Sequence, residues 1–287
     1  MFTSDFHLHT NNSFDSKIHM TEVCQLAAAA NMQEICFTDH FSLNPSVPTF
    51  GYLDWDIYQK DIIRNQKRFD GLLSIRKGVE ICEPHHNTEG YKKLFSDMKM
   101  DFILGSIHNV NNLKLRLLLR DFEKDAAYSA FFENTLAMVQ TADIDGVAHL
   151  DLIKRYYGEP FSSQDMDRHF EIIEQVLLTM IDRGLALEIN LSALKKLGQI
   201  MPCENILMLY KSLGGKLITF GSDSHSGMSL GEPLGMSPGE PLGMSPGKSP
   251  GNGFDYCCNI ASRCGFTDFY TFDQRTAAAH KIRIDPD

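Results

Sequence analysis

The chain has a single tryptophan, and none of its apolar runs approaches the ~20 residues needed to cross a bilayer. No membrane span and no membrane partner are therefore expected. Positive charge is also short: 27 Lys and Arg stand against 37 Asp and Glu, a net charge of -10 with His neutral. A surface of that sign lacks the electrostatic footprint that phosphate backbones require, so no nucleic-acid partner is predicted. The seven cysteines are odd in number and include no C-x-x-C pair. They read as reduced thiols of a cytoplasmic protein, not as a disulfide framework. Met1-Phe2-Thr3-Ser4-Asp5 has neither a basic n-region nor an apolar h-region, so no secretory signal is predicted.

What remains is ordinary globular material, 43% hydrophobic and 22% charged. Its 287 residues suit one α/β barrel with a full core, and the chain is read as one domain over 1–287. Apolar runs predict strands at Ser4–Leu8, Glu34–Thr38, Ser74–Ile81, Phe102–Ser106, Gly146–His149, Leu185–Ile189 and Lys216–Phe220. Between them, helices are predicted at Thr21–Ala30, Asp54–Phe69, Glu89–Met98, Glu123–Thr141, Ser163–Arg183 and Cys203–Leu213. In the fifth of these, Phe170, Ile173, Val176, Leu177 and Met180 fall on one face. A last helix near Phe254–Cys264 precedes a strand-like run, Thr267–Thr271. Strand and helix alternating in this way predict parallel βαβ units, and about seven of them favour a barrel over an open sheet, although periodicity does not separate the two. One stretch departs from the pattern. Residues 231–238 read GEPLGMSP, residues 239–246 repeat it, and GKSPGNG follows. Gly and Pro at this density oppose helix and strand. The stretch from about 227 to 253 is read as a duplicated surface-loop insertion, with a mobile lid or partner-binding loop as the alternative.

Six of the eleven histidines end apolar runs. His7 and His9 are spaced i, i+2, which puts both rings on one face of a strand, and Asp223 and His225 repeat that spacing after LITFGS. His40 follows CFTD, Glu80 ends RKGV, His108 follows FILGSI and His149 follows DGVA. In a parallel barrel such strand ends share one rim, where active sites are built. Asp15, in the loop after His9, can fold back over that rim. Buried imidazoles and carboxylates each need a partner, and nine N and O donors exceed the needs of one ion. Imidazole and carboxylate without Cys suit Zn, Mn or Fe better than Mg or Ca. Asp39 and Asp5 are read either as carboxylates that orient these imidazoles or as surface or capping carboxylates. His19, His85, His86, His169 and His280 fall outside the pattern, although His85–His86 follow Glu80 closely.

DFHLHT with Asp15, then FTDH, GVE, GSIH, AHLD and GSDSH, in this order, resemble the polymerase and histidinol phosphatase (PHP) family, and within it the stand-alone histidinol-phosphate phosphatases. The resemblance runs from about residue 3 to 225 and resumes near 252. It implies a distorted (β/α)7 TIM-like barrel with three divalent transition-metal ions at the C-terminal ends of the strands. Carried over, His7, His9, Glu80 and Asp223 would hold one ion, Glu80 would bridge to a second held by His108 and His149, and Asp15, His40 and His225 would hold the third. Arg155, after AHLDLIK, matches a phosphate-binding Arg. Lys195, in LEINLSALKK, stands where the family has a second Arg and offers a point charge instead of a bidentate fork. The implied activity is metal-dependent hydrolysis of a small-molecule phosphate ester, L-histidinol phosphate, in histidine biosynthesis. Another phosphate ester, or a metal-stabilised module without turnover, is the alternative. Asp223, His225 or a metal-bound water is the source of the leaving group's proton, and the sequence does not choose between them.

Overall fold

Segments such as Phe102-Ile103-Leu104 are apolar on both faces, which suits strands covered by helices outside and by a core inside. In the computed structural model of the chain, which describes residues 2–226 and 253–282, they form one parallel sheet. Its strands in spatial order are β1 (Ser4–Leu8), β2 (Glu34–Phe37), β3 (Ser74–Cys82), β4 (Phe102–Ser106), β5 (Gly146–Val147), β6 (Ala186–Asn190) and β7 (Ile218–Gly221). A two-residue strand, His40–Phe41, also pairs with β3. The sheet nearly closes. Beyond the ends of β1 and β7, Leu8 bridges Ser224, and the His9 amide donates to the Ser224 carbonyl at 3.0 Å. The result is the distorted seven-stranded barrel.

The outer layer is α1 (Met20–Ala29), α2 (Trp55–Arg68), α3 (Thr88–Ser96), α4 (Lys124–Thr141), α5 (Ser163–Arg183), α6 (Glu204–Ser212) and α7 (Gly253–Arg263). Caps fix where they start. Asp54 accepts from the amides of Asp56 and Ile57, and Ser162 and Asp165 form a capping box for α5. The face of α5 differs from the expectation by one residue. Ile173, Val176, Leu177 and Met180 are buried, but Phe170 is 39% exposed and His169 takes the inward place. There His169 lies 5.8 Å from the rings of Tyr128 and Phe132, a cluster that accepts a flat polar ring. Of the predicted insertion, Gly253 begins α7, and the GEPLGMSP repeat lies outside the described residues. Among the described residues no helix is long and apolar enough to cross a membrane, and all seven cysteines are free.

The strand-like run after α7 is half of a hairpin, β8 (Asp268–Asp273) with β9 (Thr276–Lys281), across the N-terminal end of the barrel. Phe272 packs 4.8 Å from Phe102 and joins Phe6, Cys36, Leu104, Ala148 and Ala186 in the inner core. Arg275 at the turn donates to Asp143 at 2.7 Å and to the buried Asp145 at 2.9 Å. Its removal would leave Asp145 buried without its cation. Arg275→Met is expected to lower unfolding free energy by roughly 1.5–3 kcal/mol, read from urea denaturation. An unchanged midpoint would mean that the hairpin is held by packing alone.

Candidate metal centre

All nine sequence-predicted donors meet at the opposite, C-terminal rim. β1 delivers His7 and His9, the segment after β2 delivers His40, and β3 delivers Glu80. His108, His149, Asp223 and His225 follow β4, β5 and β7, and Asp15 folds back from the loop after β1. Glu80, fully buried, is the hub. Its Oε2 lies 3.2 Å from His7 Nε2, 3.5 Å from His9 Nε2 and 2.8 Å from His40 Nδ1. Its Oε1 lies 3.1 Å from His149 Nε2 and 3.5 Å from His108 Nε2. Asp223 Oδ1 stands 3.2 Å from His9 Nε2 and 3.6 Å from His7 Nε2. Asp15 Oδ2 stands 3.3 Å from His225 Nε2 and 3.5 Å from His40 Nε2.

Hydrogen bonds on the far side of three rings orient them. His7 Nδ1 faces Glu188 Oε1 at 2.5 Å, and an ionised carboxylate only accepts, so Nδ1 carries the hydrogen. Ser13 spends its proton on Asp39, so its oxygen accepts from His9 Nδ1 at 3.2 Å. His225 Nδ1 donates to the Asp223 carbonyl at 3.1 Å. The Nε2 atoms of His7 and His9 face each other at 3.1 Å. A hydrogen on His7 or a cation between the rings must occupy that space. His40 Nδ1 is buried and meets Glu80 Oε2 at 2.8 Å. Donor spacings of 3.1–3.6 Å also match the edges of a coordination polyhedron whose metal–ligand bonds are about 2.0–2.2 Å. The residues fit divalent metal.

The electrostatics agree. Burial lowers the pKa of His7, but Glu188, Glu80 and Asp223 outweigh burial and hold the ring above its ordinary value. Burial, with His40 and His225 as neighbours, holds His9 below it. His108 is pushed down to about 3, chiefly by burial. Burial raises Glu80, but His40, His7 and His108 more than reverse this, and the carboxyl stays well below its usual range. Any bound cation must displace the His7 proton, so metal affinity falls as pH drops.

The rim is held by residues that sequence reasoning passed over. Glu188, on β6, orients His7 through Oε1 and accepts from the His149 amide through Oε2 at 2.7 Å. That second bond steadies His149 at φ 28°, a left-handed conformation costly for a non-glycine residue. Gly221 makes room for the pair: a Cβ there would meet Glu188 Oε1 at 2.1 Å and His7 Cβ at 2.6 Å. Glu83, pushed up to about 7 by burial, accepts from the amides of His108 and Asn109. Asp39 and Asp5 act less directly than expected. Asp39 holds Thr10 and Ser13, and Asp5 accepts from the backbone amides of His7 and Ser222. Sequence reasoning also passed over Cys82, whose Sγ lies 3.3 Å from His108 Nδ1. Glu80 and Cys82 are spaced i, i+2 on one strand face, a signal available in the sequence.

Arg155 reaches the rim from a short helix, Ile153–Tyr157, with Nη1 3.6 Å from Asp223 Oδ2 and donating to Ser192 Oγ at 3.2 Å. Lys195 is exposed and makes no hydrogen bond or ion pair among the described residues. Its neighbour Lys196 donates to the Arg155 carbonyl at 2.8 Å. His85 bonds Asn134 and joins none of the donor groups.

The PHP domain model matches residues 5–192. A Clostridium acetobutylicum protein named "Probable histidinol-phosphatase" is 33% identical over 79% of this chain and 88% of its own. The "Histidinol-phosphatase" of Lactococcus lactis is 27% identical over 77% of this chain and 83% of its own. The crystal structure of a Lactococcus lactis histidinol phosphate phosphatase, complexed with zinc, L-histidinol and phosphate, superposes with a TM-score of 0.78. It covers 96% of this chain and 98% of its own at 21% identity, a likeness of fold. With a family match over more than half its length, this chain belongs to the PHP domain family.

Proposed function

We propose that the chain hydrolyses L-histidinol phosphate to L-histidinol and inorganic phosphate, using a centre of three divalent transition-metal ions. The reading is carried by the convergence of His and carboxylate donors around the buried Glu80 at one rim, an arrangement whose spacings fit bound cations. The names of the relatives above support the substrate. His7, His9, Glu80 and Asp223 would hold one ion, Glu80, His108 and His149 the second, and Asp15, His40 and His225 the third. Bound there, such ions supply an activated water and offset charge on phosphoryl oxygens. The chain's own part is to orient and to move protons. Glu188 and Ser13 engage the Nδ1 atoms of His7 and His9 and aim their Nε2 atoms inward. Asp223 and His225 are the candidate proton sources for the leaving alkoxide. A panel of phosphate esters assayed with added Mn, Zn or Fe tests the reading. L-Histidinol phosphate is expected to give the highest kcat/KM, and a clear preference for a phosphotyrosine protein, a nucleotide or a DNA end would overturn it.

Arg155 is proposed to hold the phosphoryl group. A charge-assisted contact to a partly desolvated phosphate contributes roughly 1.5–3 kcal/mol, about 10- to 150-fold in kcat/KM. Arg155→Met is expected to fall in that range with metal content unchanged. Lys195, proposed as the second phosphate contact, is exposed and offers a point charge instead of a fork, so Lys195→Met should lose less and Lys195→Arg should match or exceed the natural chain. Unaltered kinetics for Lys195→Met would leave the phosphate to Arg155 and the metals.

A further inference from the structure

We propose that Cys82, with His40 and His108, forms an alternative thiophilic metal site that shares its two histidines with the centre. A soft divalent ion such as cadmium would occupy it at the expense of the Glu80, His108 and His149 group and of the Asp15, His40 and His225 group. Ligand atoms of His40, Cys82 and His108 lie within 4.8 Å of one another. The thiol is 1% exposed and His40 is 6% exposed. Ser106 supplies a fourth polar atom, its Oγ 3.5 Å from His108 Nδ1 and 3.9 Å from Cys82 Sγ. The His108 side chain is 21% exposed, so an ion can reach the trio from the rim. Among the described residues, no other cysteine belongs to such a group.

Two nitrogens, one sulfur and an oxygen suit a tetrahedral, sulfur-tolerant ion, whereas manganese and magnesium prefer oxygen. On binding, the Cys82 S–H bond breaks, the proton leaves to solvent and a sulfur–metal bond forms, with no change of oxidation state. Occupancy is exclusive because of His108. Its Nδ1 faces the thiol and its Nε2 faces Glu80, and a neutral imidazole has one lone pair to give. A soft ion on the thiol side therefore takes a ligand from the Glu80 side. None of this depends on which phosphate ester is the substrate.

The test is a titration of the purified full-length chain with cadmium chloride, followed by the ultraviolet charge-transfer absorption of a cadmium–thiolate bond. One thiolate per chain should titrate, with no band from manganese. Cys82→Ser and Cys82→Ala should each lose the band, and His40→Asn should weaken half-saturation by about tenfold or more. Cadmium-edge X-ray absorption of the natural chain gives a reading that needs no variant, with sulfur expected among nitrogen and oxygen neighbours. A band undiminished in a folded Cys82 variant, or no sulfur around cadmium in the natural chain, would overturn the proposal.

Discussion

Glu80→Gln is expected to lower kcat/KM on L-histidinol phosphate by about a thousandfold or more and to release bound metal. The amide keeps the shape of the side chain and removes its charge. One Glu80 oxygen serves His7, His9 and His40, and the other serves His108 and His149, so a single substitution reaches two groups of donors. An amide would also turn N–H donors towards nitrogen lone pairs. A metal ion contributes several kcal/mol of charge stabilisation in such chemistry, and each 1.36 kcal/mol is about a factor of ten. Elemental analysis beside steady-state kinetics reads both effects. A variant with full metal content and turnover would remove Glu80 from the centre.

The second large effect is expected one layer out. Glu188→Gln should weaken metal affinity about 10- to 100-fold, the usual cost of losing a carboxylate that orients a ligating histidine. Gln can turn its amide towards His7 Nδ1 and so favour the other tautomer, whose Nε2 carries a hydrogen. The same change weakens the bond that holds the left-handed turn at His149. Metal competition against a chelator measures the affinity. At saturating metal, kcat should recover much of its natural value, which separates an orienting residue from a ligand. Affinity equal to that of the natural chain would make the contact between His7 and Glu188 incidental.

These two residues mark where sequence reasoning succeeded and where it stopped. Glu80 was legible because it ends an apolar run, and the i, i+2 pairs His7/His9 and Asp223/His225 announced strand ends in the same way. Such positions are set by local pattern, and the barrel collects them on one rim. Glu188 lies inside its strand, and its partners His7 and His149 are distant in sequence. Only closure of the barrel between β1, β6 and β7 brings them together, with Gly221 leaving the space. The hairpin partner β9 was missed for another reason: Thr276–Lys281 is mostly exposed and rich in alanine, so it carries no alternation to read. Phe170 was placed one step off because helical periodicity alone does not distinguish neighbouring positions at the edge of an apolar face. Arg155 reaches the rim as its place after β5 required, while Lys195 is exposed and meets no partner among the described residues, so no local pattern decides its role.

The central claim is that this rim is a metal centre that hydrolyses L-histidinol phosphate, and its most direct test is metal depletion and restoration of one preparation. The purified chain is expected to contain more than one equivalent of Zn, Mn or Fe. Strong chelation should abolish phosphate release, and adding back one of these metals should restore it. Full turnover in protein shown by elemental analysis to be metal-free would contradict the account.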